Sequence, residues 1–187
     1  MKLYLIYAFD LIVHKHLKRQ IYRKFTEKNK QMTQTLSSKT IDLTKSPPRR
    51  PDEKLNGFVI LGRTIDKCRA LIAGKVGEYH YDCPVDKRLF TFKGINGDEL
   101  KAKVVAGKSD QEIADWLLTV GTPHTSEEIK EWSHSIAQLR YYDNPNSRDW
   151  FIKACGPLGL DPKVATLFEY LIADDIATFK INSETKK

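Results

Sequence analysis

The sequence predicts a mainly α-helical protein, a small orthogonal bundle of about seven helices with at most a minor hairpin near residues 57–82. Three observations carry that reading. From residue 63 onward, apolar side chains recur every three to four positions. The segments they mark open and close on recognisable start and stop signals. Only two short stretches, Phe58-Val59-Ile60-Leu61 and Tyr79-His80-Tyr81, look like strands, too little for a sheet with its own core.

The first helix places Ile65, Cys68 and Ile72 on one face and stops at Gly74. The second has Pro84 in its first turn after Asp82 or Cys83, where the missing N–H costs nothing, and carries Val85, Leu89 and Phe92 toward Gly94. Asn96 caps a third with Leu100 and Val104, ending at Gly107. Ser109-x-x-Glu112 and Thr125-x-x-Glu128 are capping boxes. In each, the hydroxyl accepts from a backbone amide of the first turn while the carboxylate reaches back to the cap. They open helices four and five, with faces Ile113, Trp116, Leu117, Val120 and Ile129, Trp132, Ile136, Leu139. Asn144-Pro145-Asn146 precedes a shorter sixth helix with Trp150, Phe151 and Ala154, stopped by Gly156-Pro157. Asp161-Pro162 starts the last, through Val164, Leu167, Phe168 and Leu171.

The helical domain spans residues 57–182, and residues 32–56 form an extended lead-in, since Pro47, Pro48 and Pro51 hold the backbone out of the helical region. Residues 1–31 are a basic extension expected outside the fold, with a natural start at Met32. They hold eight Lys and Arg against Asp10 and Glu27, so most of the chain's net charge of +7 sits there. Leu17, Ile21 and Phe25 recur at helical spacing among those cations, a pattern that could touch an anionic membrane surface. The apolar run from Leu3 to Val13, interrupted by Asp10, is far shorter than the roughly 20 residues of a membrane span, so no transmembrane segment is expected. The remaining body is nearly neutral and lacks the dense cationic stripe of a nucleic-acid binder. Three cysteines at irregular spacing form no closed disulfide set and point to reduced thiols in the cytoplasm.

Reactive side chains are densest between residues 63 and 88. Arg63 and Lys67 stand one helical turn apart, and with Asp66, Arg69 and Tyr79 they make a candidate pocket for a small anionic ligand. His80 and Cys83 are the catalytic candidates, since a thiol ahead of a helix N-terminus and near a histidine is favoured as thiolate. Against this stands ordinary surface pairing, Asp66 with Arg69 and Asp86 with Lys87, with Cys68 and Cys83 as small apolar fillers. Glu169, Asp174 and Asp175 are expected to form a solvated acidic rim. No metal or cofactor is expected: His80-x-x-Cys83 supplies two ligands where zinc needs three or four. Gly57 to Thr64 mimics a phosphate-binding loop but fills it with four bulky apolar residues that want burial.

Arg63-x-x-Asp66-Lys67-x-Arg69-Ala70, then Ala73-Gly74-x-x-Gly77-Glu78-Tyr79 and Cys83-Pro84-x-Asp86, resemble the bacterial family known as domain of unknown function 5069. The resemblance runs from about Asp42 to Phe179 and departs at Gly62, where a proline is usual, and Val85, where a leucine is. It implies a bacterial cytosolic protein and no particular activity. Two function classes follow. One is a helical binding or protein-interaction module packed around Trp116, Trp132 and Trp150. The other is a small-molecule enzyme or ligand binder whose anion pocket is formed by residues 63–88.

Overall fold

The computed structural model describes residues 41–184, the side chains of 181–184 excepted, and Arg19, Gln20, Arg23, Lys24 and Glu27 of the leader. Those five are helical and exposed. The expected stripe of Leu17, Ile21 and Phe25 and the expected start at Met32 lie outside the described residues. The chain divides into two units, Met1–Lys39 and Thr40–Lys187.

In the second unit the helices are α1 (Leu61–Ile72), α2 (Pro84–Lys93), α3 (Gly97–Val105), α4 (Asp110–Thr119), α5 (Ser126–Ala137), α6 (Pro145–Cys155) and α7 (Leu167–Glu184). Short 3-10 turns flank α6 at Tyr141–Asp143 and Gly156–Leu158. The protein is mainly α, with seven helices and no strand among the described residues of this unit. None of these helices is long and apolar enough to cross a membrane.

The strand-like Phe58-Val59-Ile60-Leu61 is the floor of the core instead. Asn56 and Gly57 both take left-handed backbone conformations, φ 48° and 86°, and fold Leu55 back on Phe58 through two hydrogen bonds of 3.0 Å. That is a two-residue hairpin turn with no strands to follow it. The chain then enters α1 through Ile60, also left-handed at φ 59°, so the four apolar side chains fan out and are all buried. Tyr79 to Tyr81 likewise form no strand: Tyr79 and His80 are irregular and Tyr81 begins a turn.

Capping fixes most helix starts. Asn96, Ser109 and Thr125 each accept from the amide three residues on while Glu99, Glu112 and Glu128 return the bond. Cys83 occupies the same place in α2, its amide donating to the Asp86 carboxylate at 3.4 Å. The last helix departs from expectation. Asp161-Pro162 opens a turn, and α7 starts six residues later, where Thr166 and Glu169 form a further reciprocal cap at 2.8 and 3.2 Å. Two competing start signals stand close together, and the later one also lets the Leu167 amide donate to Leu139 O at 2.7 Å.

At the centre α1 packs against α2, α3 and α4. Ile65, Cys68, Leu89, Leu100, Ile113 and Leu117 are fully buried there, each large aliphatic stabilising the fold by about 1.5–3 kcal/mol relative to exposure. A smaller cluster of Phe151, Cys155 and Ala165, ringed by Tyr141, Tyr142 and Tyr170, joins α6 to α7. Trp116 and Trp132 pack against the main core, whereas Trp150, expected to be a packing centre, is half exposed.

The prolyl lead-in is part of this packing. Leu43, Pro48 and Pro51 are buried, and the Leu43 amide donates to Lys75 O at 2.9 Å. Gly77 makes the close approach possible: at φ +59°, a Cβ there would stand 2.8 Å from Leu43 O. A second tight crossing holds α2 to the loop before α5. Thr122 N donates to Lys93 O, the buried Lys93 ammonium donates to Thr122 O, and a Cβ on Gly121 would fall 1.9 Å from Lys93 O.

Candidate functional site

The α1 sequence buries a run of polar groups that a solvent-facing helix would leave outside. Arg63, Thr64, Asp66 and Lys67 are each at most 5 % exposed, because the first two turns of α1 are covered by other elements, from which each group draws a partner. Asp66 accepts from the Arg49 backbone amide at 2.9 Å and from both arms of its guanidinium at 2.9 and 2.7 Å. Arg49 also reaches Asp110 of α4 at 2.6 Å, and Arg69 holds the other oxygen of Asp110 at 2.5 Å. The surface pairs expected, Asp66 with Arg69 and Asp86 with Lys87, are therefore not formed. Arg49, outside the predicted set, is the hub that joins the lead-in, α1 and α4.

Arg63 makes a two-point ion pair with Asp175 of α7 at 2.7 and 3.0 Å, and the Tyr79 hydroxyl donates to the same carboxylate at 2.7 Å. Burial works against the guanidinium, but Asp175 outweighs it and holds Arg63 above its ordinary pKa. Burial, reinforced by the bond to Asp175, pushes the Tyr79 phenol up. Asp175 thus leaves the expected acidic rim for the interior. Glu169 caps α7, and Asp174 is half buried with its pKa raised by burial and by the charge of neighbouring Asp175.

Lys67 donates to Asp86 at 2.9 Å and lies 3.3 Å from the Cys83 sulfur, while Thr64 donates to the other Asp86 oxygen at 2.7 Å. One carboxylate thereby caps α2 and neutralises the buried ammonium. Cys83 is half buried, and His80 is exposed with no described contact linking it to that thiol. The structure brings Lys67 and Cys83 together, brings Arg63 and Tyr79 together around Asp175, and leaves His80 apart.

A concave surface lies beside this network. Pro84, Lys87, Arg88, Thr91 and Phe92, spaced over two turns on one face of α2, oppose Trp132 and Ile136 of α5 across a groove of about 550 Å³. Its floor is built by stacking: Phe92 lies 4.7 Å from the Trp132 ring at 13° and 3.9 Å from the His124 ring at 11°. The His124 Nε2 stands 2.9 Å from Phe92 O, which fixes the stack to the α2 terminus. On the rim, neither Lys87 nor Arg88 has a carboxylate within ion-pair distance among the described residues. The Arg88 guanidinium lies 5.7 Å from the Tyr141 ring, and its Nε is buried without a hydrogen-bond partner.

The family described as a domain of unknown function (DUF5069) matches residues 45–176. The chain belongs to the DUF5069 family. No curated protein matches it. The matched span of this DUF5069 domain starts at the prolyl lead-in and ends one residue past Asp175, so it takes in Arg49, both buried ion pairs and the groove. Within that span Gly62 lies against the lead-in: a Cβ there would stand 3.2 Å from the Arg49 guanidinium carbon, and Gly62 O accepts from Arg49 at 3.1 Å.

Proposed function

We propose that this DUF5069 domain is a helical protein-interaction module that docks an apolar segment of a partner in the α2–α5 groove. The observation that carries the proposal is the division of labour among its cations. Arg49, Arg63, Lys67 and Arg69 all hold internal carboxylates, while the concave, aromatic-floored surface lies elsewhere and is open. Peptide grooves between helices take an apolar face at helical spacing, and two helical turns of α2 supply a matching length.

The competing reading, a small-molecule anion pocket in residues 63–88, requires a ligand to displace Asp175 from Arg63 or Asp86 from Lys67. Each displacement leaves a buried carboxylate without its partner, which is costly. What favours that reading is the approach of Lys67 to the Cys83 sulfur, and it engages one half-buried thiol. The three free cysteines, two of them buried, support the accompanying assignment to a reducing bacterial cytoplasm.

The test is an uncharged amphipathic peptide with leucines along one face and glutamines on the other, titrated into the ¹⁵N-labelled full chain. Amide shifts confined to residues 84–92 and 132–136, and abolished by a Thr91→Trp plug, are expected. Shifts elsewhere, or none, reject the groove as a docking site.

A further inference from the structure

The rim of the groove carries information about what fills it. Buried charges elsewhere in this domain are matched with care: Arg63 to Asp175, Lys67 to Asp86, Arg49 to both Asp66 and Asp110. Arg88 breaks that pattern. Its Nε is enclosed and without an acceptor, and its guanidinium is held over Tyr141. A desolvated donor without a partner is unfavourable in the free protein, and an incoming carboxylate relieves it. Lys87, one residue before it and exposed, adds a second cation on the same rim. Below both lie Phe92, Trp132 and Ile136, so the surface reads as apolar floor and cationic edge.

Resting on the docking reading above, we propose that the groove's occupant is an acidic amphipathic helix of a partner protein. Its apolar face lies on Phe92, Trp132 and Ile136, and its flanking Asp or Glu side chain is received by Arg88. Other peptide modes fit less well. No strand edge exists among the described residues of the domain to be extended by a partner strand. The aromatic faces that would grip a polyproline ligand are stacked on one another, Phe92 between His124 and Trp132. Charge selects the partner: a basic helix places like charges against Lys87 and Arg88, whereas an acidic one completes the arginine fork.

Three 14-residue peptides sharing one leucine face and differing only in the opposite face, glutamate, glutamine or lysine, test this by fluorescence anisotropy against the full chain. The glutamate peptide is expected to bind about tenfold more tightly than the lysine peptide at low salt, with the gap shrinking as salt screens it. Arg88→Gln should erase most of that glutamate-over-lysine preference, and Arg88→Lys should retain part of it. A thermal melt confirms that each variant is folded, and exposed Lys87→Glu provides a second charge change that leaves the core untouched. If all three peptides bind alike and the Thr91→Trp plug abolishes them all, the docking reading stands and the acidic partner is overturned. If none binds, both fall. If Arg88→Gln leaves the peptides unaffected but releases the chain from phosphatidylglycerol vesicles, the cationic rim serves a membrane and the proposal fails.

Discussion

Arg63 and Asp175 are joined by a buried two-point ion pair, 2.7 and 3.0 Å, that spans 112 residues of sequence and ties the first turn of α1 to the middle of α7. Neither side chain is more than 8 % exposed, and Tyr79 closes the carboxylate from a third side.

Replacing one member should therefore be far worse than replacing both. Arg63→Met is expected to cost about 3–5 kcal/mol, because it strands a buried carboxylate, while Arg63→Met with Asp175→Leu costs clearly less than the two single changes added. Urea denaturation of the three variants measures this. Strict additivity would mean that the pair contributes nothing jointly.

Arg49 requires a fork rather than a charge. It offers two arms to Asp66 and a third nitrogen to Asp110, a geometry that a lysine ammonium does not reproduce. Arg49→Lys should destabilise by about 2 kcal/mol and raise proteolytic cleavage after Lys45, as the lead-in loosens from α1. A variant that melts like the parent would demote Arg49 from hub to ornament.

Acid should unfold the domain through its capped and paired carboxylates. Burial tends to raise Asp110, but Arg49 and Arg69 overcome it and hold its pKa below the usual range. The Lys108 hydrogen bond, with the cap to Ser109, draws Glu112 down to about 2. Such groups stabilise above their unfolded pKa, and the contribution drains away as pH falls toward the folded value. Asp174 has the opposite sign: its raised pKa means that folding disfavours its charge, a penalty that builds as pH rises from the unfolded value and is complete above the folded one. Asp174→Asn is accordingly expected to stabilise at pH 7 and to be neutral near pH 3. Chemical denaturation at the two pH values decides the sign, and destabilisation at pH 7 would count against the account.

Thiol chemistry should single out Cys83. Cys68 and Cys155 have no exposed surface, and burial pushes Cys68 up to about 12, so neither offers a reachable thiolate. Ellman's reagent at pH 8 is expected to modify one thiol in the native protein and the other two only after unfolding. Rapid release of three equivalents from folded protein contradicts the burial.

Two glycines separate steric need from backbone need. Both Gly107 and Gly121 have positive φ, 76° and 62°, but an added Cβ meets nothing at Gly107 and runs into Lys93 O at Gly121. Gly107→Ala should cost about 1–2 kcal/mol from the left-handed backbone alone, and Gly121→Ala distinctly more, with loss of the Lys93–Thr122 bonds. Equal melting temperatures would refute the distinction.

Most of the helical architecture was readable because capping and periodicity are local. Asn96, Ser109 and Thr125 announce their helices within four residues. The readings that went astray depended on distance. Phe58 to Leu61 is apolar on every face because it threads through the core, and a short apolar run carries no period to separate strand from floor. In the sequence Asp175 reads as part of a solvated rim because its partner, Arg63, stands near the other end of the domain. The 63–88 segment is dense in reactive side chains, yet Asp175, Asp110 and Arg49, which pair with several of them, come from elsewhere in the chain. The groove left no local trace either. On α2 alone, Lys87, Arg88 and Thr91 look like an ordinary wet face until α5 brings Trp132 and Ile136 opposite.

The reach of the Arg63–Asp175 contact has a bearing on how a ribosome releases this protein. Six of the seven helices emerge during translation before Asp175 does, and until then Arg63 has no counter-ion and Tyr79 no acceptor. The domain can assemble its apolar interior early but locks only when α7 arrives, so interruptions of synthesis between residues 160 and 175 should yield collapsed, chaperone-bound chains rather than smaller finished folds.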